Sequence, residues 1–427
     1  MLIATIFGVF FVLVFAGLPI SFSLALGAIV PLVVFKNMTM AVVIQKFFTS
    51  TNSYGMMAIP FFMIAGGLLD KGGVSKRLVN LANALIGWLP GGLAVVVFLA
   101  SAFFGAISGS AVATVVAIGS IMLPSMKEEG YDYRFTLSTI ASAGYLGVIV
   151  PPSIPMVLYG LSTGVSVGDV FLGGFIPGFM LASGMSIYAV GYGIVHRHEI
   201  RRRTFSVKEL ARAIVDSVWA MVMPAIVLGG IYGGVFTPTE AAAVAVVYGL
   251  IVGLFVYKEL NLKLIFKIMR SSVLTSAMIM FVCAAASCFA YVLALESIPT
   301  QIADFMVSIC SNQFQFWIVV TIFLLIVGMV MDTPPAILIL SPLLTPVAAR
   351  FEINPVVFGV IMIINLGIGM VTPPVGMNMF VAAGLAKVKA SDVITRHLWA
   401  YVICSTLIMI ILMAFPQLIL FLPSLGK

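Results

Sequence analysis

Four short stretches set glycine, proline and hydroxyl residues inside otherwise apolar sequence: Ser108-Gly109-Ser110, Met331-Asp332-Thr333, Gly144 to Ser153 and Asn365 to Pro374. None pairs a nucleophile with a base, and none spaces His and Cys as a metal site would. What they offer is oxygen. Serine and threonine supply hydroxyls, and backbone carbonyls are freed wherever glycine or proline interrupts a helical ladder. Such neutral oxygens suit sodium, while the N-terminus of a broken helix, carrying about half a positive charge, suits an anion. Irregular backbone inside a membrane costs several kcal/mol per unsatisfied group unless protein, water or ligand satisfies it, so four such stretches imply a purpose.

Pairing each tip with one interruption predicts two pseudo-symmetric sodium sites. The first comprises Ser108, Ser110, Gly144, Val148 and Pro151, and the second Met331, Thr333, Gly367, Met370 and Thr372. Ser110, Ser153, Asp332 and Thr333 are expected to line a substrate cavity between the tips. Of the 15 acidic residues, only Asp332 and Glu240 sit well inside apolar segments, where an ionised carboxylate costs at least about 2.5 kcal/mol. Asp332 is expected to meet polar groups of the substrate or to lend charge to a sodium site. Glu240, in Thr237-Pro238-Thr239-Glu240, reads as a helix cap. His198-Glu199 lacks the second histidine of a zinc protease helix, and no glycine-rich loop with Lys-Ser or Lys-Thr is present, so neither an enzyme nor an ATPase is expected. Cys283, Cys288, Cys310 and Cys404 read as small packing residues.

The elements that must hold these stretches follow from composition. With 62% hydrophobic and 9% charged residues, the chain reads as an all-α polytopic membrane protein, because its apolar runs are continuous rather than alternating. The net charge of +7 reads as cytoplasmic loops rather than a nucleic-acid surface. The first apolar run lacks the flanks of a removable signal peptide and is expected to stay in the bilayer.

Gly147, Pro151 and Pro152 recur as Gly369, Pro373 and Pro374, and Pro124 recurs as Pro346, all at an offset of 222 residues. This predicts two repeats, 1–195 and 219–427, joined by a basic linker and amphipathic helix at 196–218. Each repeat is expected to hold a re-entrant hairpin, about 91–125 and 314–349, and an interrupted helix, about 133–163 and 355–385. The hairpin legs, near 16 residues, would span roughly 25 Å, short of a full crossing. Five crossings per half would make the second repeat inverted. With the linker in the cytoplasm, 18 of the 22 Lys and Arg fall on that side, and both termini face the periplasm.

The run Gly229 to Ala242, containing Thr237-Pro238-Thr239-Glu240-Ala241, together with Val371-Thr372-Pro373-Pro374-Val375-Gly376, resembles the large membrane subunit of tripartite ATP-independent periplasmic (TRAP) transporters. The resemblance covers essentially the whole chain. It implies a sodium-driven, elevator-type carrier in the bacterial inner membrane for carboxylates of the dicarboxylate or sialic acid class. It also implies a soluble periplasmic binding protein that delivers the substrate and a small four-helix membrane subunit, here a separate chain. The alternative is a stand-alone divalent-anion sodium symporter, with an intramembrane enzyme or a channel behind it.

Overall fold

The computed structural model describes residues 2–36, 40–201 and 204–425, and all regular structure among them is helical. Arg202, Arg203 and Lys427, which enter the charge count above, lie outside the described residues. Seven helices are long and apolar enough to cross a bilayer, or up to nine if the bent pairs Ile44–Lys71 and Tyr133–Thr163 each count as one span. Large apolar side chains such as Phe15, Ile187 and Phe266 stand exposed, as expected of surfaces that meet lipid rather than water. The three most deeply placed cysteines are buried and free, consistent with packing.

The first hairpin consists of helices Gly92–Ser108 and Ala111–Glu128, and the second of Gln313–Val330 and Thr333–Arg350. Their legs of 17 or 18 residues span about 26 Å, below the roughly 30 Å of a hydrocarbon core. The tips are made by local chemistry. Gly109 takes φ of 60° to reverse the chain, and Ser110 then caps the second leg by accepting from Ala113 N–H at 3.4 Å. At the other tip Asp332 caps, accepting from Thr333 N–H at 2.8 Å, and Pro334-Pro335 fill positions where no N–H is needed.

Each hairpin straddles the first part of the interrupted helix that follows it. Both legs of the first pack on Tyr133–Ile149, and both legs of the second pack on Pro355–Gly369. The distal parts then change sides: Ile154–Thr163 packs on the second hairpin's leg Thr333–Arg350, and Met377–Ala386 packs on the first hairpin's leg Ala111–Glu128. Hydrogen bonds seal the exchange at both ends. Tyr159 Oη donates to Pro355 O at 2.7 Å, and Tyr133 Oη donates to Ala386 O at 3.1 Å.

Two local readings need revision. The interruptions were expected to begin at Gly144 and Asn365, yet the first interrupted helix turns at Tyr145, adds the turn Leu146–Ile149, and breaks only at 150–153. The second stays helical to Gly369 and breaks at 370–376. Gly144 and Gly367 remain helical because their missing Cβ gives a neighbour room: Val115 and Asn378 crowd Gly144, and Tyr145 crowds Gly367. The second revision concerns 196–218. The amphipathic segment expected there runs without a break into the following span as one helix, Val207–Tyr232.

Outside this core, helices Leu2–Phe15, Ile20–Lys36, Met40–Thr51, Ala58–Lys71, Pro238–Ile251 and Leu262–Leu295 pack among themselves. The cap expected at Glu240 is present in full. Glu240 Oε2 accepts from both the N–H and the hydroxyl of Thr237 at 2.8 Å, and Glu240 N–H donates to Thr237 Oγ1 at 3.3 Å. Basic loops gather in contact: Arg77 pairs with Glu259 at 2.7 Å, and Arg201 N–H donates to Glu129 O at 3.0 Å.

Candidate ion and substrate site

The first tip rests on the first break. Gly105, in the leading leg, lies so close to the interrupted helix that a Cβ there would stand 2.6 Å from Gly147 Cα. Gly109 is equally confined, with its Cβ position 2.9 Å from Ile154 N. Ser108 is buried with Oγ 3.4 Å from Thr114 Oγ1, and Thr114 donates to Ser110 O at 2.8 Å. Ser110 itself is half-buried, while Gly144, Val148 and Pro151 are buried. Ser153 is wholly buried and donates to Val148 O at 2.5 Å, so its hydroxyl fastens the break. Contact with a substrate would require that bond to open.

The second tip repeats the arrangement. A Cβ on Gly328 would stand 2.7 Å from Leu366 O and 3.1 Å from Gly369 Cα. Gly376 N–H donates to Met329 O at 3.0 Å, tying the far end of the break to the same leg. Thr333 is wholly buried, its hydroxyl 3.1 Å from Met370 Sδ, and Thr372 donates to Ile368 O at 2.7 Å. The helix tightens as it ends: Val371 N–H reaches Ile368 O and Thr372 N–H reaches Gly369 O. These three-residue bonds pass over the Gly367 carbonyl. Met331 and Asp332 are half-buried, and among the described residues Asp332 makes no ion pair.

Each tip is thus joined to its own break, and the two interrupted helices meet ahead of their breaks, where Tyr145 lies against Gly367. The hydroxyls of Ser153 and Thr372 donate to carbonyls, which leaves oxygen lone pairs as acceptors. Together with carbonyls released at the helix ends, these are fitting ligands for a hard cation. Among the described residues no cluster of three or more His, Cys, Asp or Glu stands ready for a metal ion. A crevice of about 690 Å³, lined mostly by apolar side chains, reaches Val150 but holds none of the expected site residues.

Two side chains outside the expected site residues stand out. Asn365 and Asn378 are wholly buried, and the side-chain oxygen of each lacks a hydrogen-bond partner among the described residues. The available signal was an amide inside an apolar run, since a buried amide needs partners as much as a charge does.

Residues 7–418 match the family described as "Tripartite ATP-independent periplasmic transporter, DctM component". The chain belongs to this family. It is 37% identical over 440 residues to the C4-dicarboxylate TRAP transporter large permease protein DctM of Rhodobacter capsulatus, covering 98% of each chain. It is 41% identical over 384 residues to the isethionate TRAP transporter permease protein DctMQ of Oleidesulfovibrio alaskensis, matching 90% of this chain but 60% of that longer one. Among solved structures, the YdaH transporter of Alcanivorax borkumensis shares the fold with a TM-score of 0.66 at 13% identity, covering 88% of each chain. This member of the DctM family is therefore a transporter component and not an enzyme, a multi-pass protein of the bacterial inner membrane.

Proposed function

We propose that the chain moves a small organic anion together with sodium, in complex with a small four-helix membrane subunit and supplied by a soluble periplasmic binding protein. The observation that carries this reading is the seating of each hairpin tip on a broken helix through glycine contacts, with hydroxyl and carbonyl oxygens gathered at both seats. Sodium ions bind at the two seats. The anion lies between the tips, facing the helix starts at Ala111, Ile154 and Thr333, with Ser110 and Asp332 beside it. The relatives named for C4-dicarboxylate and isethionate support a small anionic cargo, and the class proposed for it is dicarboxylate or sialic acid.

The two halves act as inverted repeats, 1–195 and 219–427, with both termini in the periplasm. Hairpins and interrupted helices move as an elevator against the helices packed outside them. Reciprocal packing of Ile154–Thr163 and Met377–Ala386 on the opposite hairpins supports a single moving body. The test is uptake into proteoliposomes. Accumulation should need this chain, the small subunit, the loaded binding protein and an inward sodium gradient. Robust uptake by the lone chain would favour a stand-alone symporter, and uptake that persists with a potassium or proton gradient alone would remove the sodium coupling.

A further inference from the structure

The half-helix Met377–Ala386 carries Asn378 out of its own half and against the first hairpin. The side chain is wholly buried. Its Nδ2 reaches Ala141 O at a long 3.5 Å, and its Oδ1 has no partner among the described residues. A buried amide oxygen left without a donor is costly, and in a native interior it calls for an unseen partner.

The surroundings say which kind. Gly144, one of the residues expected at the first sodium site, lies under the amide: a Cβ there would meet Asn378 Nδ2 at 2.9 Å and Ala111 O at 3.2 Å. Ala111 directly follows Ser110. The helical ladder also slips at this point. Tyr145 N–H turns to Ala143 O instead of the Ala141 carbonyl four residues back, so the Ala141 carbonyl is met by the long amide contact. The place therefore gathers acceptors. Apart from the amide nitrogen of Asn378, the donors nearest to it are spent: the backbone N–H groups of Asn378 and Met379 are already bonded to Met370 O and Gly376 O. A set of neutral oxygens without a carboxylate suits a monovalent cation better than a divalent one.

We infer that Asn378 gives its side-chain oxygen to the cation held at the first hairpin, so that this site is built from both halves of the chain. The inference rests on the sodium reading above and deepens it: the ion clamps the second interrupted helix onto the first tip. The amide nitrogen keeps Ala141 while the oxygen turns to the ion.

Binding can be read without transport, from the thermal stability of the purified full-length chain as sodium chloride replaces choline chloride at constant ionic strength. The wild-type chain should gain stability with a saturable sodium dependence. Asn378→Leu, of similar size, should raise the half-saturating sodium concentration at least tenfold, and Asn378→Asp should lower it at pH 8. If the wild-type chain ignores sodium, the sodium reading falls and this inference with it. If the wild-type chain responds and the variants keep its midpoint, Asn378 is no ligand although the sodium reading stands. Should the leucine variant fail to fold, the aspartate variant decides alone, an unmoved midpoint overturning the assignment.

Discussion

Tyr145 lies across Gly367: a Cβ on that glycine would come within 3.3 Å of both Cβ and Cδ2 of the tyrosine. The kink of one interrupted helix is thereby lodged against the last turn of the other. Tyr145 is itself fixed, since its hydroxyl bonds Ser405 on the helix Arg396–Ala414. The two breaks cannot shift independently without opening this contact.

The glycine crossings should be intolerant of a single methyl group. Gly105→Ala and Gly328→Ala place a Cβ under 3 Å from backbone atoms of the interrupted helices, and should each cost about 1–3 kcal/mol. Gly384→Ala meets nothing within 4 Å and should be neutral or stabilising by up to about 1 kcal/mol, through helix propensity. Thermal melts of the three variants in detergent check the contrast.

Asp332 has a structural part as a cap and a proposed part as a charge, and two substitutions separate them. Asp332→Asn keeps an oxygen for Thr333 N–H, so the chain should melt normally yet lose at least tenfold in uptake. Asp332→Ala should lose the same uptake and a further stability of about 1 kcal/mol from the missing cap. Normal uptake by the asparagine variant would take Asp332 out of the site. Ser110→Ala should be milder, losing one neutral bond worth about 1 kcal/mol.

Coupling should be separable from cargo. Ser108→Ala and Thr372→Ala remove one hydroxyl from each proposed ion seat and should raise the sodium concentration for half-maximal uptake roughly fivefold, as expected for about 1 kcal/mol. Apparent substrate affinity at saturating sodium should stay close to wild type. Titrating uptake against sodium and then against substrate reads both quantities.

Glu240 should matter to stability alone. Glu240→Ala removes the acceptor shared by the Thr237 N–H and hydroxyl and should lower the melting temperature modestly, as loss of a capping box does. Uptake by the folded protein should be unchanged, which parallel melts and transport assays would show.

The hairpins and the Glu240 cap were legible in the sequence because their signals are local. Ser-Gly-Ser and Asp-Thr-Pro-Pro punctuate apolar runs whose length limits what they can cross, and Thr-Pro-Thr-Glu spells a capping box. The start of each break was not legible. A glycine that bends a helix and one that admits a neighbour are the same letter, and only the position of Tyr145 or Val115 tells Gly367 or Gly144 which it is. The continuity of Val207–Tyr232 was hidden likewise, since a polar first turn followed by apolar turns reads as two segments until the backbone joins them. The part played by the Asn365 and Asn378 side chains is hidden in the sequence for a different reason. A charge marks itself as costly in a membrane by its letter, whereas an amide is costly there only when it is unpaired, which the letter does not say.

The backbone-to-backbone seats at Gly105 and Gly328 bear on how such a carrier can acquire a new cargo. Positions that admit no side chain cannot drift and offer no side chain to a ligand, so the helix crossings can be held constant while the tips are rewritten. Ser110 and Asp332 are half-buried at the ends of short legs, and it is the carbonyl of Ser110, not its side chain, that confines Gly147 at the first crossing. Changes of specificity should therefore be sought at the tips, and a laboratory selection for a new anion should collect its substitutions there and leave the glycines untouched.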